Sequence, residues 1–192
     1  MIFTWCRKQK SDFIFLQETH SKKDSETCWK NEWGSEIIMA HGSSNSCGVA
    51  ILVKKGVDCT VHSRILDPSG RYIILKAEIN DKMYVYAPNK DTNISNFFNN
   101  ILMTVRKNNS DEEENIIIGG DFNCPLNPNL DKKGGLLIPR KSVVTTIEIL
   151  QELNLVDIWR VMNPERKSFT WSQNSPMIFL TFGLLADFKY LI

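Results

Sequence analysis

Apolar and polar positions alternate along this chain in short periods that predict many strands and few helices. The most continuous apolar run lies in Asn115-Ile116-Ile117-Ile118-Gly119-Gly120-Asp121-Phe122-Asn123. It is short, β-branched and ended by two glycines, the pattern of a strand buried on both faces. Residues 12–17, 36–40, 48–54 and 58–64 read as further strands, with Ser43–Ser46 and Lys55-Gly56 as turns. Residues 71–79 and 82–87 predict a hairpin joined at Asn80-Asp81. Ile94, Phe97, Phe98, Ile101, Leu102 and Val105 recur at helical spacing and predict a helix over 93–107. A second helix is expected over 141–153, a short third over 156–162, and a strand over 168–172. Residues 24–33 are polar except for Trp29 and Trp33 at i, i+4, which gives a helix one face to pack. The four tryptophans at 5, 29, 33 and 159 are expected in core or rim packing. Residues 1–10 read as the end of an amphipathic helix whose chain begins earlier.

Composition narrows the class. A chain of 192 residues, 42% hydrophobic and 23% charged, suits one folded domain with a real core. The formal net charge of +1 gives no overall pull toward nucleic acid, so such a partner would need a local patch. Lys132, Lys133, Arg140 and Lys141 offer either that patch or simply a soluble loop, and both readings stand. Cysteines at 6, 28, 47, 59 and 124 are odd in number and form no C-x-x-C pair. Histidines at 20, 41 and 62 lack zinc spacing. The expectation is a reduced intracellular protein, nuclear or cytoplasmic and not secreted, without structural zinc or a small-molecule cofactor. Residues 180–192 are too short, and too interrupted by Asp187 and Lys189, to span a membrane. They read as a terminal strand or as an exposed, aggregation-prone tail.

The candidate chemistry lies where strands end. Three apolar strands run into polar clusters: Leu16-Gln17-Glu18, Val85-Tyr86-Ala87-Pro88-Asn89, and Gly120-Asp121-Phe122-Asn123. Asp121 and Asn123 at i, i+2 point to one side in extended geometry and suit water activation or phosphate orientation. The same residues also fit an ordinary polar strand exit. Glu18 and Asp121 are hard oxygen donors of the kind Mg²⁺ takes one or two of. A tyrosine such as Tyr86 beside a carboxylate can hydrogen-bond a phosphoryl oxygen.

Five motifs together resemble the endonuclease/exonuclease/phosphatase family: Q-E-T-H (17–20), C-G-V-A-I-L (47–52), G-R-Y-I-I-L (70–75), Y-A-P-N (86–89) and G-G-D-F-N (119–123). L-V-D-I-W-R (155–160) and S-F-T-W-S (168–172) narrow this to a similarity with the apurinic-type endonuclease domain of LINE-type non-LTR retrotransposons. The resemblance implies a four-layer α/β sandwich of two packed mixed β-sheets flanked by helices, over residues 1–179, with 180–192 a non-homologous tail. It implies Mg²⁺ (Mn²⁺ possible) at Glu18, Asp121 as the residue that orients or deprotonates water, and Asn123 and Tyr86 at the scissile phosphate. Asn89, Thr170 and Trp171 then contact DNA. The implied reaction is hydrolysis of a DNA phosphodiester that leaves a 3′-hydroxyl, from which an associated reverse transcriptase primes.

Two departures qualify the resemblance. The family's opening strand carries an asparagine, and this chain begins after that point. The family closes with R-[LI]-D-[FY]-[WF]-L followed by S-D-H, whereas Phe179 here runs into Leu180-Thr-Phe-Gly-Leu184, and no histidine follows His62. One codon set for Leu-Asp-Phe-Trp-Leu, CTT-GAC-TTT-TGG-CTT, read one base later gives Leu-Thr-Phe-Gly-Leu, which suggests a frameshift or a splice junction in the wrong frame, with coincidence as the alternative. The expected function is therefore an ancestrally Mg²⁺-dependent DNA nickase, impaired in this chain and binding DNA weakly if at all. The alternatives are a non-catalytic nucleic-acid-binding or inert remnant of the fold, and a small-molecule phosphoesterase. Residues 180–192 are expected to pack poorly or to replace the family's inner strand only in part.

Overall fold

A computed structural model describes residues 2–9, 11–43, 45–78, 82–86, 103, 115–120, 126–134, 141–152, 154–167, 171–174, 177–180 and 184–187, of which 82–86, 115–116, 128, 141–143, 145–146, 149, 171–174, 177–180 and 184–187 only in their backbone. The chain divides into two compact units, Met1–Asn89 and Lys90–Ile192.

The first unit opens with helix α1 (Ile2–Lys8), then strand β1 (Phe13–Leu16), a 3-10 turn (Lys23–Ser25) and helix α2 (Glu26–Trp33). Strands β2 (Ile37–Ala40) and β3 (Val49–Val53) complete a sheet in the order β1-β3-β2, antiparallel throughout. All five β3 residues are buried, because the strand is central and covered on both faces. On one face Ile14, Leu16, Ile37, Met39, Ala50 and Leu52 pack against Phe3, Cys6, Trp29 and Trp33 of the two helices. Phe3 meets Trp29 edge-on at 5.3 Å, and the Trp33 indole donates to the Val53 carbonyl at 2.8 Å. The Arg7 guanidinium donates to the Glu32 and Trp33 carbonyls and lies over the Trp33 ring, supplying donors to the open C-terminal end of α2. Trp5 departs from expectation: it is 59% exposed, because the inward face of the short α1 is taken by Phe3 and Cys6.

On the other side, β2 and β3 lie against β5. Strands β4 (Thr60–Leu66), β5 (Ile73–Glu78) and β6 (Lys82–Tyr86) form an antiparallel meander. Ile73, Leu75 and Ala77 of β5 are buried, whereas β4 is largely exposed. The first unit is thus helices on a sheet on a sheet. The hairpin turn at Asn80-Asp81 lies outside the described residues.

In the second unit, β7 (Asn115–Gly119) coincides with the isoleucine run, and Ile118 is fully buried. Next come the short helix α3 (Pro128–Asp131), β8 (Lys132–Lys133), α4 (Lys141–Glu152), β9 (Leu155–Asp157) and α5 (Ile158–Met162). The chain then forms β10 (Trp171–Asn174), β11 (Met177–Leu180) and β12 (Leu184–Asp187). β10 pairs with β11 and β11 with β8, all antiparallel. β12 inserts between β7 and β9, pairing Leu184–Ala186 with Ile117–Gly119 and Leu185–Asp187 with Leu155–Asp157. The segment that departs from the family pattern thus contributes a strand bonded on both sides. Apart from Met103, the helix expected over 93–107 lies outside the described residues.

Candidate active-site loop

β1 ends at Leu16, and the chain turns sharply through Gln17–Ser21. Glu18 and His20 both take left-handed backbone, at φ 48° and 50°. Each side chain there costs about 1–2 kcal/mol, so the surroundings must hold the loop in place. They do so by backbone pairing. The Thr19 amide donates to the Gly48 carbonyl and the His20 amide to the Cys47 carbonyl, each at 3.0 Å. The clamp is itself left-handed, with Cys47 at φ 65° and Gly48 at φ 88°. A β-carbon on Gly48 would stand 2.4 Å from Thr19 Oγ1, so only glycine allows this approach. The Gly48 amide donates at 2.8 Å to the Gly70 carbonyl in the turn between β4 and β5, which ties the ends of both sheets together.

This knot fixes a carboxylate. Glu18 Oε2 accepts from the Cys47 amide at 3.0 Å and lies 3.0 Å from His20 Nε2. The Glu18 side chain remains 27% exposed, so it is oriented from the protein side and open to water. A second series of bonds runs beneath it. Thr19 Oγ1 donates to Ser21 Oγ at 3.0 Å, Ser21 Oγ lies 3.1 Å from His41 Nδ1, and His41 Nε2 lies 3.2 Å from Glu26 Oε2. Glu26 also pairs with Lys30 at 2.7 Å, one helical turn on. The Lys30 ammonium first, and then His41, hold the Glu26 carboxyl below its usual range.

Register places Tyr86 at the same end of the first unit. Ala50 faces Leu16 and Val49 faces Ala40, so the knot sits where β1 and β2 end and β3 begins. Ile74 faces Val85, so β6 runs out beside the start of β5, the end reached by the Gly48–Gly70 bond. Of the residues expected to act, Glu18 and Tyr86 thus share one end of this unit, Tyr86 by its backbone. In the second unit β7 stops at Gly119, as the two glycines predict, and Trp171 opens β10. Asp121, Asn123, Asn89 and Thr170 lie outside the described residues.

The L-V-D-I-W-R stretch holds together the second unit. Asp157 Oδ1 caps α5 by accepting from the Arg160 amide at 3.0 Å. The Arg160 guanidinium bonds Asp131, donates to the carbonyls of Asn163 (2.9 Å) and Arg166 (3.0 Å), and lies 4.8 Å over the Trp159 ring. Asp131 is buried and also accepts from the Asn127 amide at 2.7 Å. Burial pushes the Asp157 carboxyl above its usual range.

Sequence reasoning missed Ser21, Glu26 and His41. They stand 5 and 15 residues apart on a turn, a helix start and a strand end, a spacing with no periodic signal. Only the proximity of His41 to the end of a wholly buried strand marks it.

The donor at Glu18 suits a hard cation. It is a partly exposed carboxylate whose Oε2 is held by the Cys47 amide and His20 Nε2, and Mg²⁺ commonly takes one or two carboxylates while keeping most of its water. Among the described residues no three of His, Cys, Asp and Glu gather as a metal-holding group. No described helix is long and apolar enough to cross a membrane.

The model of the endonuclease/exonuclease/phosphatase family matches residues 1–175. The chain is 32% identical over 178 residues to the transposon TX1 uncharacterized 149 kDa protein of Xenopus laevis, covering 88% of this chain and 13% of that one. Among solved structures, an AP endonuclease from Archaeoglobus fulgidus matches 97% of this chain and 80% of its own, with a TM-score of 0.70 at 17% identity. A 3′-5′ exonuclease from Neisseria meningitidis matches 97% of this chain and 80% of its own, also with a TM-score of 0.70, at 18% identity. These likenesses show the α/β fold expected from the strand-end motifs. The chain belongs to the endonuclease/exonuclease/phosphatase family.

Proposed function

We propose that this chain is a retrotransposon-type endonuclease domain whose ancestral reaction is Mg²⁺-dependent hydrolysis of a DNA phosphodiester. The observation that carries the reading is Glu18. Its strained backbone is clamped by Cys47 and Gly48, and its carboxylate is oriented toward solvent by the Cys47 amide. A protein maintains such a conformation where a side chain must be aimed. The 32% identity to a transposon protein supports the retrotransposon setting.

In this reading Glu18 holds Mg²⁺, or Mn²⁺ in its place. Asp121 orients or deprotonates the attacking water, and Asn123 and Tyr86 hydrogen-bond the scissile phosphate. Asn89, Thr170 and Trp171 contact the DNA strand. When bound, the metal supplies charge stabilisation at the phosphate oxygens. The histidines are confined to positions 20, 41 and 62, and Leu180–Leu184 carries no aspartate. The resemblance implies an aspartate and a histidine in the closing motif as acid–base partners, and a site lacking them forgoes assistance of about 10²–10⁴-fold.

A supercoiled-plasmid assay with Mg²⁺ and an EDTA control tests this. Nicking close to background, with DNA binding that weakens as salt rises, is the expected outcome. Robust Mg²⁺-dependent nicking that disappears in Asp121→Ala would show that the chain is a competent enzyme. Absence of both nicking and DNA binding would favour the inert remnant, for which residues 180–184 are the specific argument.

A further inference from the structure

We infer that Ser21, His41 and Glu26 form a positioning relay that holds the Glu18 loop in its left-handed conformation and so aims the Glu18 carboxylate. The inference rests on the role proposed for Glu18, and deepens it.

The geometry begins with Ser21. It is only 3% exposed, yet its hydroxyl is satisfied on both sides, by Thr19 Oγ1 at 3.0 Å and by His41 Nδ1 at 3.1 Å. Thr19 is the residue between the two left-handed positions, and its amide is one half of the clamp onto Gly48. Fixing its side chain therefore fixes the turn that carries Glu18. His41 is fixed in its own turn by the Glu26 carboxylate at 3.2 Å, and Glu26 is braced by Lys30 on α2. The bonds run in series. Thr19 donates to Ser21, while the His41 ring bonds Ser21 through Nδ1 and Glu26 through Nε2. The relay links three elements separated in sequence: the loop after β1, the end of β2 and the first turn of α2.

A serine, a histidine and a carboxylate in hydrogen-bond sequence also suggest nucleophilic catalysis. The burial of Ser21 opposes that, because a nucleophile must reach its substrate. The Ser21 oxygen also accepts from the Thr19 hydroxyl, which crowds the position a substrate would need. These are positioning residues.

The relay acts on a backbone conformation, so its test does not depend on metal or activity. Amide hydrogen exchange of the intact chain would be compared in wild type, Ser21→Ala, His41→Leu and Glu26→Gln. The expected result is that Thr19 and His20 exchange about three- to tenfold faster in Ser21→Ala and His41→Leu, relative to core amides such as Ile51 and Leu52. Glu26→Gln keeps an acceptor for His41 and should exchange close to wild type. Equal acceleration at all four amides, or none at 19 and 20, would reduce the three residues to ordinary fold stability and overturn the relay. A second arm follows Mn²⁺ binding by water-proton relaxation, with Glu18→Ala as control. Weaker binding in Ser21→Ala and His41→Leu, with binding retained in Glu26→Gln, supports the aiming role; unchanged affinity overturns it. If wild type and Glu18→Ala bind Mn²⁺ alike, the proposed role of Glu18 fails, while hydrogen exchange still decides whether the relay holds the loop.

Discussion

At the scale of single residues, left-handed backbone serves two different purposes, which substitution can separate. Gly48 and Gly56 have nearly the same φ, 88° and 90°. A β-carbon at Gly56 would meet nothing within 4 Å, whereas at Gly48 it would strike Thr19. Gly56→Ala should therefore cost only the conformational strain, about 1–2 kcal/mol in urea unfolding. Gly48→Ala should cost about 1–3 kcal/mol more, because the clamp itself must move. Equal losses would mean that the loop gives way freely, and would weaken the case for a rigid Glu18. Asp157 yields a pH prediction. Its folded-state pKa is raised, chiefly by burial. As pH rises, the unfolded chain ionises first and the fold second, so stability falls across that window and the loss is complete once pH exceeds the raised folded-state pKa. Asp157→Asn keeps the oxygen that caps α5 and removes this penalty. Its urea midpoint should exceed wild type at neutral pH, with the advantage fading below the ordinary carboxylate range. A lower midpoint at neutral pH would mean that the charge helps Arg160 more than burial hurts.

At the scale of elements, β3 and β12 differ in how each was legible. β3 reads directly from its sequence, since five consecutive apolar residues bounded by turns can only be buried on both faces. Leu52 packs toward the helices and is fully buried. Leu52→Ala should cost about 2–5 kcal/mol and also loosen α2, as read by unfolding and by hydrogen exchange in 26–33. β12 is four residues that carry no signal of their own until partners stand on either side. Ala186 faces Ile117 on one neighbour and Val156 on the other. Proline there removes a ladder donor between two paired strands and should cost about 3 kcal/mol or more. A neutral Ala186→Pro would mean that the tail contributes nothing to the sheet.

At the scale of the whole molecule, the tail raises a question of origin. Leu180-Thr-Phe-Gly-Leu184 is what one codon set for Leu-Asp-Phe-Trp-Leu would encode if read one base later, which predicts a frameshift. The nucleotide sequence across codons 179–185 should then read Leu-Asp-Phe/Tyr-Trp-Leu in the shifted frame. Any other shifted reading removes this account. The structure adds a constraint, because the divergent segment inserts between β7 and β9. A sheet accepts a strand by its backbone hydrogen bonds, which are indifferent to side-chain identity, so a changed sequence can occupy the gap.

What the sequence determined by itself was the set of strands with a strong period, the helices with an apolar face, and the family, through motifs at strand ends. Each depends on neighbours a few residues apart, and local periodicity records those. The sequence also singled out Glu18, since Q-E-T-H is contiguous. Only the tertiary structure decided how Glu18 is held. Cys47, Gly48 and Gly70 approach it from two other loops, and Ser21, His41 and Glu26 meet across three elements. Arg160 likewise became an internal anchor only when α3 brought Asp131 to it. These bonds join residues 15 to 29 positions apart, and no period along the chain can encode a contact that exists only once the sheets have closed.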